Sequence, residues 1–184
     1  MVILASASPR RKELMKNIVD DFKIIVSDID EEKSYHFSPL EAVIDIAKRK
    51  GEKVHQEHFD DLVISADTIV VLDEKIIGKP NDANDAKRIL KELSNRTHKV
   101  ITAYCLFKKD KFFENYVISE VTFNKLSDDL IDEYVKTGSP LDKAGAYGVQ
   151  DNEKYHIIKA VKGDINNVIG FPVDAIKKDY SLFE

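Results

Sequence analysis

A single cysteine in 184 residues excludes an internal disulfide, and Cys105 sits in the apolar run Ala103–Phe107 where a buried structural thiol is expected. No apolar stretch approaches the roughly 18 residues of a membrane span, and no signal-peptide pattern is visible, so a cytoplasmic protein without membrane partners is expected. The pattern G-x-x-x-x-G-K-[ST] is missing, as is G-x-G-x-x-G, so neither the P-loop nor the dinucleotide fingerprint is available. A net charge of −5 and the lack of a basic tail or long Lys/Arg run argue against non-specific nucleic-acid binding, and any basic site must be local. Internal repeats, low-complexity segments and linkers are also lacking. What remains is an ordinary globular composition, 43% hydrophobic and 33% charged, enough for one domain with a sizeable core and at most two lobes.

The segment Leu4-Ala5-Ser6-Ala7-Ser8-Pro9-Arg10-Arg11-Lys12-Glu13-Leu14 organises the reading. Val2-Ile3-Leu4 is a short buried strand. Ser8 is a favoured N-cap and Pro9 suits the first helical position, so a helix is expected from Pro9 to about Asn17, with Leu14 and Ile18 inward. Its first turn carries Arg10, Arg11 and Lys12, where acidic residues are normally favoured. A bound polyanion would relieve that conflict. A solvated basic turn screened by Glu13 is the competing reading.

Phe22–Val26 reads as a second strand running into Asp28-Ile29-Asp30-Glu31-Glu32, either a solvated acidic loop or a source of one or two oxygen ligands for a hard cation. Ser38-Pro39-Leu40-Glu41 is a capping box that opens a helix to about Glu57, with Leu40, Val43, Ile44 and Ala47 inward. Helical spacing turns Arg49 away from this stripe and leaves Lys50 on its flank, either snorkelling to water or reaching into a site. His55 and His58 read as surface residues. Leu62–Leu72 is the most apolar stretch, a central strand with Asp67 in its middle. A carboxylate there is costly unless paired, hydrogen-bonded or on a metal, and a strand break over a cleft is expected.

Asp73-Glu74 turns the chain, and Gly78-Lys79-Pro80 places Lys79 on a stiff loop. A helix from Asn81 or Asp82 to Leu93 follows, then long strands Thr97–Lys108 and Lys111–Phe123, and a helix capped by Ser127 that ends at Gly138. Asp142–Gln150 reads as a tight, small-residue loop that lets backbone approach a ligand. Lys154–Lys162 reads as a strand with Tyr155, Ile157 and Lys159 inward, Asp164–Gly170 as a loop, and Pro172 as the start of a last short helix.

Taken together, Ala5–Leu14, Ala66-Asp67-Thr68, Gly78-Lys79-Pro80 and Asp142-Lys143-Ala144-Gly145-Ala146-Tyr147-Gly148 resemble the Maf family of nucleoside triphosphate pyrophosphatases, in the family's order and spacing over almost the whole chain. The resemblance implies an elongated α/β fold similar to that of inosine triphosphatase, a mixed sheet with flanking helices and a deep cleft between two lobes of a single domain, residues 1–184. It implies hydrolysis of a nucleoside triphosphate to the monophosphate and pyrophosphate, and a link to septum inhibition and nucleotide-pool cleaning. By position, Asp67 matches the family's catalytic acid/base, Ser8, Arg10 and Arg11 its phosphate-facing loop, Lys50 and Lys79 its cleft lysines, and Glu31 its cleft carboxylate. Mg²⁺ or Mn²⁺ is implied among the triphosphate oxygens, with Glu31 and Asp67 as ligands.

Arg10, Thr68 and Gln150 stand where the family separates members acting on dTTP and UTP from those acting on a methylated guanosine triphosphate. A glutamine both donates and accepts, which suits the acceptor–donor–acceptor edge of uracil and thymine. Two positions depart from the family pattern: Asp151, where glycine is usual, and Ser139, where an acidic residue is common. A nucleoside triphosphate is the expected partner, and a homodimer is left open. Two rival readings stand beside this one: a pyrophosphatase for deaminated purine nucleotides, and a non-enzymatic nucleotide-sensing regulator of division.

Overall fold

Strand Leu62–Leu72 (β3) is buried along nearly its whole length, as its two apolar runs with β-branched residues on either side of Asp67 favour. In the computed structural model, which describes residues 1–184, it lies inside a mixed seven-stranded sheet. Val2–Leu4 (β1) runs parallel to it, and Lys23–Ile24 (β2) runs parallel to β1. Lys75–Ile77 (β4) returns antiparallel on β3. Beyond β3 come Thr97–Lys108 (β5), Lys111–Phe123 (β6) and Ile158–Lys162 (β7), the last antiparallel to β6. The expected mixed sheet with flanking helices is the architecture found.

Local signals placed most helices. Pro9–Met15 (α1) is capped by Ser8, whose hydroxyl accepts from the Arg11 N–H. Pro39–His55 (α2) starts with a complete capping box between Ser38 and Glu41. Ala83–Leu93 (α3) is capped by Asp82, and Asp128–Lys136 (α4) by Ser127. Short helices Asn152–Tyr155 (α5) and Ile165–Ile169 (α6) precede Val173–Tyr180 (α7).

The chain forms two compact units. The first comprises residues 1–68, 101–117 and 166–184. Its core joins Leu4 and Met15 to Ile64, Tyr104, Phe171 and Ile176, all almost fully buried. The second comprises residues 69–100 and 118–165, with Leu90, Leu93, Phe123 and Tyr134 fully buried.

Several expectations are corrected. The second strand shrinks to Lys23–Ile24, an edge strand whose two residues are both exposed. Lys154–Lys162 is not one strand. A helical turn ends at Tyr155, His156 takes a left-handed φ of 50°, and β7 begins at Ile158 with Lys159 exposed. Residues 165–169 are helical rather than a loop. On α2 the buried stripe is rotated to Ala42, Val43, Ile46, Ala47, Gly51 and Val54, leaving Leu40 and Ile44 half-buried. β3 continues unbroken through Asp67. His55 is half-buried rather than a surface residue, its ring stacked 5.5 Å from that of Phe107.

Candidate active site

Gly51 sets the geometry. A Cβ on this residue would meet the Phe107 ring at 2.3 Å and Ser65 Oγ at 2.5 Å, so only glycine lets α2 lie this close to the sheet. At this contact the Ser65 hydroxyl donates to the Ala47 carbonyl at 2.7 Å, tying β3 to the helix. Lys50, one residue before the glycine, is thereby carried onto β3, and its Nζ lies 2.7 Å from Asp67 Oδ1. The same Nζ lies 2.7 Å from Glu31 Oε1, so one ammonium bridges two carboxylates.

Glu31 reaches that position from a single 3₁₀ turn, Glu31–Ser34, capped by Asp30. Arg49 braces the turn: it donates to the Asp30 carbonyl at 2.9 Å and to Asp45 at 2.9 Å, and it bonds the Ser34 hydroxyl. The acidic run therefore divides its work. Asp30 caps, the Asp28 carbonyl accepts from Lys53, and Glu31 alone enters the charge cluster.

Asp67 is 8% exposed. Burial raises its carboxyl above the ordinary range, and the nearby Lys50 and Arg11 charges hold it down only in part. Such a group retains affinity for a proton closer to neutral pH than a surface carboxylate does, which is what a general base requires. Tyr35, which the sequence did not single out, stands within the field of Glu31 and Asp67; burial first and then those two charges raise its hydroxyl pKa.

Arg11 is committed to the fold. Its Nε donates to the Gly170 carbonyl at 2.9 Å, one terminal nitrogen to the Ala66 carbonyl at 2.8 Å and Ser6 at 3.4 Å, and the other to Thr68 Oγ1 at 3.0 Å. Burial lowers its pKa, an effect opposed by Asp67. Thr102 gives its proton to the Asn167 carbonyl, so Thr68 donates to Thr102 at 2.9 Å while accepting from Arg11. Ser8 serves as the helix cap. Arg10, half-buried, makes no hydrogen bond or ion pair and stands as an uncommitted cation beside this cluster, close enough to lower the pKa of Arg11.

The first unit thus brings together Ser8, Arg10, Arg11, Glu31, Lys50, Asp67 and Thr68. Lys79 and Gln150 belong to the second unit. Lys79 is exposed, on a loop braced by the Gly145 N–H donating to the Gly78 carbonyl at 3.2 Å. Gln150 is exposed too, in the 3₁₀ turn Val149–Asp151.

Residues 1–179 match the family described as Maf-like protein. The chain belongs to the Maf family. A Clostridium botulinum protein named dTTP/UTP pyrophosphatase is 46% identical over 180 residues, covering 96% of this chain and 95% of that protein. A Thermococcus onnurineus protein of the same name is 42% identical over 178 residues, covering 97% and 95%. Among solved structures, the Ham1 protein of Staphylococcus aureus aligns over 100% of this chain and 99% of its own, with a TM-score of 0.51 and 12% identity, a likeness of fold.

In this Maf-family chain Ser139 and Asp151, the two residues set apart by the resemblance, touch each other. Ser139 Oγ donates to Asp151 Oδ2 at 2.6 Å, and the Tyr134 hydroxyl donates to the same oxygen at 2.7 Å. Glu31 and Asp67 present carboxylate oxygens of the kind a hard divalent cation takes, here paired with Lys50, and no cluster of three or more His, Cys, Asp or Glu side chains that could hold a metal is present.

Proposed function

We propose that the chain is a pyrophosphatase that hydrolyses dTTP and UTP to the monophosphate and pyrophosphate. The observation that carries this reading is the buried Asp67, with its raised pKa, held at 2.7 Å by a lysine that it shares with Glu31. The names of relatives more than 40% identical over nearly their full length support the choice of substrate.

Cleavage between the α and β phosphates needs a group that activates water, and cations for the charge that develops on the leaving pyrophosphate. Asp67 Oδ accepts the proton of the attacking water. Lys50 holds that carboxylate in place and favours its ionised form against the effect of burial. Arg10 and Lys79, free of partners within the fold, neutralise phosphate oxygens. Arg11 fixes the carbonyl of Ala66, the residue before Asp67, and so orients the base. Glu31 and Asp67 would hold Mg²⁺ or Mn²⁺, which when bound would supply charge neutralisation on the phosphate oxygens. Gln150 reads the base edge, donating to a carbonyl and accepting from the ring N–H of uracil or thymine.

No helix is long and apolar enough to cross a membrane. We place the reaction in the cytoplasm, in the clearing of nucleotide pools with an effect on division, with no nucleic-acid partner.

Hydrolysis in ¹⁸O-labelled water across a panel of nucleoside triphosphates, with and without Mg²⁺ or Mn²⁺, tests the reading. The expected result is label in the monophosphate, pyrophosphate as co-product, and preference for dTTP and UTP. Orthophosphate with a diphosphate would overturn the reaction. Preference for deaminated purine nucleotides would move the substrate, and tight binding without turnover would favour a sensor.

A further inference from the structure

We propose that Asp151 is a positioning residue for Gln150, fixing the amide that discriminates the base; this rests on the reading of Gln150 given above. The turn from Gly148 to Asp151 is closed by the Asp151 N–H donating to the Gly148 carbonyl at 3.1 Å. Gln150 lies inside it. A Cβ on Gly148 would come within 2.8 Å of Gln150 Nε2 and 2.9 Å of its Cδ and Oε1, so the amide occupies the space that a side chain on residue 148 would fill. The position of this amide therefore follows the position of the turn.

Asp151 anchors both ends of that turn. Its Oδ2 accepts from the hydroxyls of Ser139 at 2.6 Å and Tyr134 at 2.7 Å. An ionised carboxylate only accepts, so the phenol proton must point at Asp151. The phenol oxygen then presents a lone pair, and it accepts from the Gly148 N–H at 3.2 Å. Tyr134 is fully buried, and its ring lies 4.8 Å from that of Tyr155, so this anchor point does not move. Ser139 is held in turn by Lys143, whose Nζ donates to the Ser139 carbonyl at 2.6 Å and its hydroxyl at 3.2 Å. Lys143 is 8% exposed and pairs with Asp142 at 2.8 Å. One carboxylate oxygen thus sets the direction of a hydrogen-bond chain that runs from α4 to the glycine under the amide.

The test uses the full-length chain and compares kcat and KM for UTP and GTP in wild type, Asp151→Ala, Asp151→Asn and Gln150→Ala. The UTP-over-GTP ratio of kcat/KM is the readout, because partial unfolding scales both nucleotides equally. Asp151→Ala is expected to lower the ratio about tenfold, mainly through the KM for UTP, since it leaves buried donors without an acceptor and frees the turn. Asp151→Asn retains an acceptor oxygen and is expected to restore most of the ratio. If Asp151→Ala does not fold, Ser139→Ala removes one donor at the same oxygen and is expected to lower the ratio about threefold. A collapsed ratio in Gln150→Ala alongside an unchanged one in Asp151→Ala, or in Ser139→Ala where that substitutes for it, overturns the positioning role alone. An unchanged ratio in Gln150→Ala overturns the base-reading role of Gln150 itself and with it this proposal.

Discussion

Lys50 Nζ lies 2.7 Å from Asp67 Oδ1 and is the only cation hydrogen-bonded to that carboxylate. Arg11 acts on Asp67 only through space, because its own donors go to the Ala66 and Gly170 carbonyls and to the Ser6 and Thr68 hydroxyls. Asp67 and Lys50 therefore form a unit that substitution can take apart one side at a time.

Asp67→Asn is expected to cut kcat by about a hundred- to ten-thousandfold while the chain stays folded, since the change is close to isosteric. A thermal-melt comparison checks the electrostatics at the same time. Asp67 has a folded-state pKa above its ordinary value, so the wild type loses stability as pH rises through that pKa and regains it as pH falls. The asparagine variant lacks this titration. The stability of wild type relative to variant should rise as pH is lowered from neutral toward the ordinary carboxylate range. A gap that is flat with pH would place Asp67 outside the buried pair, and a wild-type rate in the variant would remove its catalytic role.

Lys50→Met leaves two carboxylates without their shared ammonium. Breaking a buried ion pair from one side typically costs about 3–5 kcal/mol, and Asp67 escapes part of that cost by taking up a proton. The acid limb of the kcat/KM profile should move to higher pH relative to wild type. A loss of rate with an unmoved acid limb would show that Lys50 serves the substrate alone.

Gly51→Ala forces a methyl group into the Phe107 ring and the Ser65 hydroxyl. Overpacking of this kind costs about 1–3 kcal/mol and pushes α2 away from β3. Denaturant unfolding should report the loss, and turnover measured well below the transition should fall with it, because Lys50 moves with the helix. Unchanged stability would mean that the helix has room to spare at this contact.

His98 should control acid sensitivity. It is 2% exposed, its Nε2 lies 2.7 Å from the Tyr147 hydroxyl, and burial pushes its pKa down from 6.5 to about 4. The folded chain binds fewer protons at this residue than the unfolded chain between those values, so the stability conferred by the neutral ring is lost as pH falls from 6.5 toward 4. The size is roughly 3 kcal/mol across that window. His98→Gln, which cannot titrate, is expected to flatten the acid side of the stability curve, as measured by urea unfolding at a series of pH values. An equally steep curve would assign the effect elsewhere.

Gln150→Glu is expected to lower the preference for UTP over GTP, since an ionised carboxylate only accepts and suits the N–H groups of guanine. A change of roughly tenfold to a hundredfold per contact is reasonable for unpaired groups at a buried base edge. The check is the ratio of kcat/KM for the two nucleotides, and an unchanged ratio would take Gln150 out of substrate choice.

The legible parts of this molecule were the ones written locally. Ser8-Pro9 and the Ser38–Glu41 capping box fix helix starts from within four residues of sequence, and the eleven-residue run around Asp67 identifies β3 by its composition. The residues around Glu31 show only a run of carboxylates, and the family resemblance alone singled it out, because its distinction depends on Arg49 bracing the turn. Gly51 is a glycine inside a helix, a visible oddity, but its meaning requires knowing that Phe107 and Ser65 lie opposite. Arg11 carries the same charge whether it faces a phosphate or clamps two carbonyls, so no pattern in residues 8–12 separates the two. α6 carries no capping signal and spans five residues, which left nothing for periodicity to detect.

The clamp from Arg11 to the Gly170 carbonyl joins residues 159 positions apart. Chains are made from the N-terminus at roughly 5–20 residues per second, so about eight to thirty seconds separate the appearance of the arginine from that of its partner. During that interval Glu31, Lys50 and Asp67 have all been synthesised, yet the guanidinium that fixes the backbone before Asp67 lacks one of its carbonyls. Closure of the clamp is therefore tied to completion: a nascent chain, or one cut before residue 166, carries the charged residues of the first unit with the clamp left open.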